Sequence, residues 1–599
     1  MPEVGRSRVL QSRDSRGIGK QIKDVGTLFS DYNALEIQPG SDIIEGSQEP
    51  YLTLETPDKD LLKLASRWET AWDNYLSKDI KKKQKNNKEY WLGNQYGWDN
   101  QEYSSVDNII FSSTETLLPI ISRQNPEPMI LSPDVQVADA MAELIRVIED
   151  ENALKVKIKK EARHWMLSYI GVLKLAIDDV GDIRVYVINP KDIILDPSGN
   201  FEGGEFTGKY IGERKSMEAE KMIEMFDNLS DEAKASIEQA AQGEMGTKLK
   251  YKEWWTDEYI FWTFNGVVLD KRKNPHWNYE DDLIVVDEFG NETEEIKATR
   301  RNHFKQKKKP YAFLSVFNLG EHPLDDTSLV EQSIPLQDSV NKAQRQIQKN
   351  ADDANSGWIF NNKFTTDTAR TALSSLRNGG AILTQTASIA DAVTRINAPS
   401  LPVYVINNML DKREQIQSIM GTRGSTAAGI ASEQTVRGKI EIRQSDVDRS
   451  TLIVEHIEQQ IDYLFNYITQ MIFVYYSEVE IGEKLGEQKG LILVEYLKDL
   501  NAPRLTVSVK EGSMIPQDPL LRRNEAVDLL QMGIIDPLTA FERMNFPDPE
   551  ATFQRLLQYQ QNPASLLEGE GVPPPEAAEI AQQTLDPMAG LTQPPNLTL

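Results

Sequence analysis

Apolar positions along this chain change period twice. Leu61, Leu64, Trp68, Trp72, Tyr75 and Leu76 recur at three and four residues, predicting a helix from Leu61 to about Tyr90. Helices are predicted again over Val135 to Ile148 and Ala153 to Tyr169. The pattern then turns strand-like. Val172 to Ile177 and Ile183 to Ile188 flank Asp178-Asp179-Val180-Gly181, a β-hairpin signal. The aromatic-rich stretch Tyr251 to Phe264 is followed by Asn265-Gly266 and then Val267-Val268-Leu269, the strongest short-range hairpin signal. Leu283 to Val286 and Tyr311 to Phe317 add strands, so the first half reads as α+β.

The second half turns helical. Leu336, Val340, Ala343, Ile347, Ala351 and Ala354 form one apolar stripe. Lys342, Arg345 and Lys349 project about 160° away on a helical wheel. A solvated face is the default reading of those cations; a basic stripe facing DNA is the alternative. Gly379-Gly380 and Ala398-Pro399-Ser400-Leu401-Pro402 bound a compact segment with strand-like Ala381-Ile382-Leu383. A helix is predicted from Val403 to Met420, broken by the small, almost uncharged run from Gly421 to Gly429, which includes Arg423, Gly424 and Ser425. The longest helix follows, about Glu433 to Tyr476, roughly 60 Å at 1.5 Å per residue. Leu505 to Val509 reads as a strand returning to the earlier sheet. Leu520 to Leu530, Pro537 to Met544 and Glu550 to Tyr559 read as short helices. Residues 1–60 have weak periodicity and read as irregular. The Pro- and Gln-rich tail after Asn562 is expected to be disordered or extended.

Composition bounds the class. The chain has 599 residues, enough for about four structural units. No apolar run approaches the ~18 residues needed to span a bilayer. The basic N-terminus lacks the apolar core of a secretory signal. Cysteine is absent, which removes disulfides and thiolate zinc sites. The net charge of −26 opposes a phosphate-gripping protein. It reads either as solubility or as a surface that DNA passes without sticking.

Sequence signals for chemistry are sparse. A nucleotide-driven motor needs Gly-x-x-x-x-Gly-Lys-Ser/Thr, and the chain has no match. The five histidines, His164, His276, His303, His322 and His456, never take the spacing of a metal helix. Asp192 with Asp196, or Asp325 with Asp326, are carboxylate types suited to a hard cation. Turn and cap roles explain them more simply, Asp325-Asp326-Thr327 standing just before a helix. The basic runs Lys81-Lys82-Lys83 and Lys305 to Lys309 read as a solvated helix end and a loop or strand edge. The expectation is a protein that is not an enzyme, with no cofactor and no metal.

Several strings, in order, resemble tailed-bacteriophage portal proteins. Asn108-Ile109-Ile110-Phe111-Ser112 through Glu115-Thr116-Leu117-Leu118-Pro119, with Asn125-Pro126-Glu127-Pro128, resembles that family's early helix and turn. Ile188-Asn189-Pro190-Lys191-Asp192 with Asp196-Pro197 resembles its wing hairpin. The run from Leu329 through Leu336-Gln337-Asp338-Ser339-Val340-Asn341 resembles the approach to the first stem helix. Glu511-Gly512-Ser513-Met514-Ile515-Pro516, Arg522-Arg523-Asn524-Glu525-Ala526 and Gly533-Ile534-Ile535-Asp536-Pro537 resemble the exit into the crown. The resemblance covers residues 60 to 560.

The resemblance implies a portal fold: wing at 61–322, first stem helix 323–354, clip 355–402, second stem helix 403–420, tunnel loop 421–434, long wing-spanning helix 435–476, wing return strands 477–517 and crown helices 518–561. It implies a ring of twelve copies at one capsid vertex of the virion, assembled in the host cytoplasm. Double-stranded DNA would pass through it without sequence specificity. Terminase, head–tail adaptor proteins, the major capsid protein and scaffolding protein are the implied partners, with no membrane. Lys342, Arg345 and Lys349 would form basic rings, and Gly421, Arg423, Gly424, Ser425 and Gly429 a flexible loop at the lumen. The rival readings are another structural virion protein and, disfavoured by the missing phosphate loop, the terminase large subunit.

Overall fold

A computed structural model describes residues 52–76, 78–96, 106–122, 125–226, 229–244, 246–279, 285–286, 292–293, 301–354, 358–360, 363, 367, 393–395, 402–422, 436–499, 502–510, 513–514, 519–544, 546 and 548–561. In the unit Met1–Thr56, residues 52–56 form a turn closed by Thr56 N donating to Thr53 O. All elements below belong to the unit Pro57–Leu599. The first helices are α1 (Asp58–Tyr75), α2 (Lys78–Trp91) and α3 (Ile109–Ile121). Strand β1 (Pro128–Leu131) leads to α4 (Val135–Glu151) and α5 (Leu154–Ser168). Side-chain caps set several starts: Asn108 accepts from Phe111 N, and Asp134 from Gln136 N and Val137 N. The expected single helix from Leu61 to Tyr90 is two helices, α1 and α2. Lys81, Lys82 and Lys83 therefore stand near the start of α2, not at a helix end. Lys81 pairs with Asp73 at 3.3 Å and Lys83 with Glu331 at 3.0 Å.

The sheets follow. Strands β2 (Gly171–Ile177) and β3 (Ile183–Val187) form the expected hairpin, with Leu173 opposite Val187. After β4 (Ile193–Leu195), β5 (Phe201–Glu202), β6 (Glu205–Phe206) and β7 (Ile211–Glu218) come α6 (Ala219–Met225) and α7 (Asp231–Ala241). Strands β8 (Lys248–Trp255), β9 (Tyr259–Phe264) and β10 (Val267–Lys273) complete an antiparallel sheet in the order β10-β9-β8-β7-β4. Asn265 and Gly266 both take positive φ, 43° and 80°, the two-residue turn their identities call for. The short pair β11 (Val285–Val286) and β12 (Glu292–Thr293) precedes β13 (Tyr311–Leu314), which joins the hairpin in the order β13-β2-β3.

The remainder is mainly helical. It comprises α8 (Leu329–Ala354), the antiparallel pair β14 (Trp358–Phe360) and β15 (Val393–Arg395), α9 (Val403–Ile419) and the 40-residue α10 (Val436–Tyr475). Then come α11 (Glu478–Leu485), α12 (Glu487–Lys498), β16 (Thr506–Val509), α13 (Pro519–Gln531), α14 (Pro537–Arg543) and α15 (Pro549–Gln561). The interval expected as return strands is thus two helices and one strand, and Ser477 with Glu480 forms a capping box at its start. Strand β16 does not rejoin the earlier sheets. It pairs antiparallel with β1, Met129 opposite Ser508.

The main core gathers around α10. Val454, Ile457, Ile461, Leu464, Phe465, Ile468, Met471 and Ile472 are buried, packed with side chains from α3, α4, α5, β2, β13, α11 and α12. A helix apolar around most of its circumference belongs inside a fold. Among the described residues, no helix is long and apolar enough to cross a membrane. The architecture is α+β.

Candidate functional site

The helices α8 and α9 carry the sequence-predicted site. Helix α8 starts at Ser328, whose Oγ accepts from Glu331 N at 3.0 Å. Asp325 and Asp326 do not cap it as expected. Asp326 instead accepts from the adjacent Thr327 N at 2.6 Å, and burial pushes its carboxyl up to about 7.

The inner face of α8 is polar as well as apolar. Val340 and Ala343 are buried, and so are Gln337 and Asn341. Gln337 Nε2 donates to Asp107 O at 2.7 Å, and Ile109 N donates to Gln337 Oε1 at 3.2 Å. Asn341 donates to Gln95, and Tyr90 OH donates to Asp338 Oδ1 at 2.6 Å. These bonds root the helix in the segment around α2 and α3. Further along, Gln346, Gln348, Lys349 and Ala351 are exposed.

Helix α9 returns beside α8. Its Arg413 Nη1 lies 2.7 Å from Asp107 Oδ2, the residue whose carbonyl holds Gln337. The other ends of the two helices lead into the antiparallel pair β14–β15. The chain therefore runs out along α8, across that pair, and back along α9. Ile416 and Met420 seal the root of α9. Its outer face is apolar and open: Tyr404 is 72% and Val403 69% exposed, with Leu410 and Ile406 also outward.

Lys342 and Lys349 are exposed. Arg345 is half-buried, its guanidinium 4.6 Å from the Tyr96 ring centroid and its Nε donating to Asn341 O. Gly421, expected in a lumen loop, is buried and serves as a helix stop. At φ 67° it sits in the left-handed region, with its N–H directed to Ser418 O and Thr422 N–H to Gln417 O. That is the reciprocal closure a C-terminal glycine permits. Arg423, Gly424, Ser425 and Gly429 lie outside the described residues, as do Ala381-Ile382-Leu383 and the tail after 561.

Sequence reasoning missed a second feature, a buried ionic cluster joining the two main sheets. Lys174 on β2 places Nζ 2.6 Å from Glu213 Oε2 on β7 and also bonds Glu253 on β8. Lys215 reaches Glu253 Oε2 at 2.5 Å, and Tyr311 OH donates to Glu213 at 2.9 Å. Trp255 and Trp262 donate their indole N–H groups to Glu253. Burial pushes the Glu253 carboxyl up, but Lys174 and Lys215 outweigh it and hold it well below the usual carboxylate range. A cavity of about 620 Å³ opens over the cluster, edged by Tyr186, Met225, Arg272 and His276. His276 stacks on Trp255, and burial pushes its imidazole down to about 3, so it is neutral. Glu253 has its lone pairs occupied by four donors. The cluster is a clamp between sheets rather than a poised base.

Asp196 spends its oxygens on Ser198 N, Ser198 Oγ and Lys209 N, which makes it a turn former. Lys308 and Lys309 pair with Glu205 and Asp257, in the loop before β13. Among the described residues, no group of three His, Asp or Glu side chains is placed to hold a metal ion. In comparisons with known proteins, no protein-family model and no curated protein matches this chain.

Proposed function

We propose that this chain is the subunit of a portal ring in a tailed bacteriophage, a conduit for genome packaging, retention and ejection that performs no chemistry itself. The observation carrying this reading is the out-and-back pair α8–α9. It is rooted at Asp107 in an α+β body, continued by a 40-residue helix, and left with an apolar outer face. Exposed Val403, Tyr404, Ile406 and Leu410 on one helix are unusual for a free monomer and suit burial against a neighbouring copy. Lys342 and Lys349, exposed on the partner helix, then serve as sparse basic rings in a strongly acidic protein. Sparse cations weaken phosphate binding and let duplex DNA slide without sequence readout.

In this reading the ring has twelve copies and sits at a capsid vertex after assembly in the host cytoplasm. The segment between α8 and α9 meets terminase during packaging and head–tail adaptor proteins afterwards. The outer body meets the major capsid protein and scaffolding protein. Negative-stain imaging of the purified full chain tests the proposal. Rings with a central hole are expected, and a monomer under all conditions would sink it.

A further inference from the structure

The long helix α10 and α5 share a buried polar pair. Glu161 on α5 and Gln460 on α10 are both fully buried. Gln460 Nε2 donates to Glu161 Oε1. The two other oxygens of the pair, Glu161 Oε2 and Gln460 Oε1, are buried without a hydrogen-bond partner in the protein. With Glu161 ionised, both are acceptors and cannot satisfy each other. Turning the amide over only aims oxygen at oxygen. A single proton on Oε2 supplies the missing donor and turns two orphaned acceptors into one O–H···O bond.

Backbone packs against both partners. A Cβ on Gly171, the first residue of β2, would lie 2.4 Å from Glu161 Cγ. A Cβ on Gly204, in the β5–β6 turn, would lie 2.7 Å from Gln460 Cα. The pair has little room to separate while α10 stays seated.

We propose that Glu161 is a neutral carboxylic acid in the folded protein, joined to Gln460 by two reciprocal hydrogen bonds, and that losing its proton unlatches α10 from α5. This goes beyond the channel reading and does not depend on it.

Several charged groups on the surrounding elements are engaged elsewhere. On α5, Lys157 donates to Asn152 and Arg163 pairs with Glu115, while burial pushes the His164 imidazole down. On β2, Lys174 belongs to the ionic cluster. On α10, Glu458 accepts from Met514 N and Asp462 from Val509 N. Beside the β5–β6 turn, Glu205 takes Lys308. Burial therefore dominates and pushes the Glu161 carboxyl up to about 8, with the Gln460 bond pulling the other way.

The sign follows. The folded chain keeps a proton that the unfolded chain releases in the usual glutamate range. Stability is thus full at acid pH, declines as pH rises to about 8, and levels off above. Glu161→Gln cannot ionise and keeps an amide pair with Gln460, so it lacks this component. Urea unfolding of the full wild-type and E161Q chains from pH 5 to 9 tests the idea. The wild-type folding constant should fall relative to E161Q by up to about tenfold per pH unit, then stay parallel above pH 8. A constant ratio across the range overturns the proposal. Infrared difference spectra of the two chains at pH 6 give a second measurement. A protonated-acid C=O band unique to wild type supports it, and carboxylate bands in its place overturn it. Amide exchange in 453–472, corrected for base catalysis, should accelerate as pH rises toward 8 and level off above it in wild type alone; equal exchange in both chains removes the latch.

Discussion

Arg413 on α9 and Asp107, just before α3, stand 2.7 Å apart, and Gln337 on α8 holds the carbonyl of the same aspartate. One residue thus ties both channel-candidate helices to the body. The Arg413 side chain is partly exposed, so solvent screens the ion pair. Arg413→Ala should cost no more than about 1 kcal/mol of global stability. Its effect should be local: faster amide exchange at 410–420, with the core at 453–472 unchanged. A uniform rise across the chain would contradict this anchoring role.

Lys174→Met removes one cation from the buried cluster and leaves Glu213 only the longer 3.7 Å ion pair to Lys215. Breaking such a site costs about 3–5 kcal/mol. Lys215 lies nearer the surface, its side chain 27% exposed against 5% for Lys174. Lys215→Met should therefore cost clearly less. Chemical denaturation of both variants gives the comparison, and equal losses would refute the ordering.

Tyr404→Asp combined with Leu410→Asp places charge on the open face of α9. Both side chains are exposed in the single chain, so its unfolding midpoint should barely move. Ring assembly should fail, because each copy would bury unpaired carboxylates against its neighbour. Sedimentation velocity at fixed protein concentration distinguishes the two effects.

Lys342→Glu with Lys349→Glu reverses the exposed cations of α8. Assembled rings should bind duplex DNA more weakly, equally for unrelated sequences, and with a shallower dependence of affinity on salt. Arg345→Glu should also disturb the Tyr96 contact and lower stability. A sequence-dependent loss of binding in the double variant would argue against a sliding surface.

Burial pushes the Asp326 carboxyl up to about 7, so the folded chain holds a proton that the unfolded chain loses in the usual aspartate range. Stability linked to this group is full at acid pH and is lost as pH rises toward 7. Asp326→Asn should flatten that decline in urea midpoints between pH 4 and 8. A decline of unchanged slope would mean Asp326 titrates normally.

Legibility followed chemistry that is local in the chain. The hairpins at Asp178-Asp179-Val180-Gly181 and Asn265-Gly266, the helices α4, α5 and α9, and the length of α10 all follow from nearby residues. Strand β7 escaped because its pattern is masked by charge. Glu213 and Lys215 face inward to meet partners on β2 and β8, so a buried strand reads as a polar one. Strand β1 escaped because its partner is β16, far along the chain. Helix α11 carries a legible signal in Ser477 followed by Glu480, the spacing of a capping box. Of the site residues, Lys342 and Lys349 stand on the exposed face that the wheel assigned them, while Tyr96 draws Arg345 inward. Gly421 was a helix stop in plain view, since a glycine after the last periodic residue is what such a stop requires.

The pairing of β1 with β16 also imposes an order of events on synthesis. Met129 waits for Ser508, and Asp462 and Asn466 on α10 hold the same late strand through Val509 N and Val507 O. A chain emerging from the ribosome therefore cannot complete the packing around β1 until all of α8, α9, α10, α11 and α12 has been made. Until then, β1 is an open strand edge and α10 an uncovered apolar rod, each a template for association with other chains. Residues 506–509 act as the closing step for an edge laid down at 128–131.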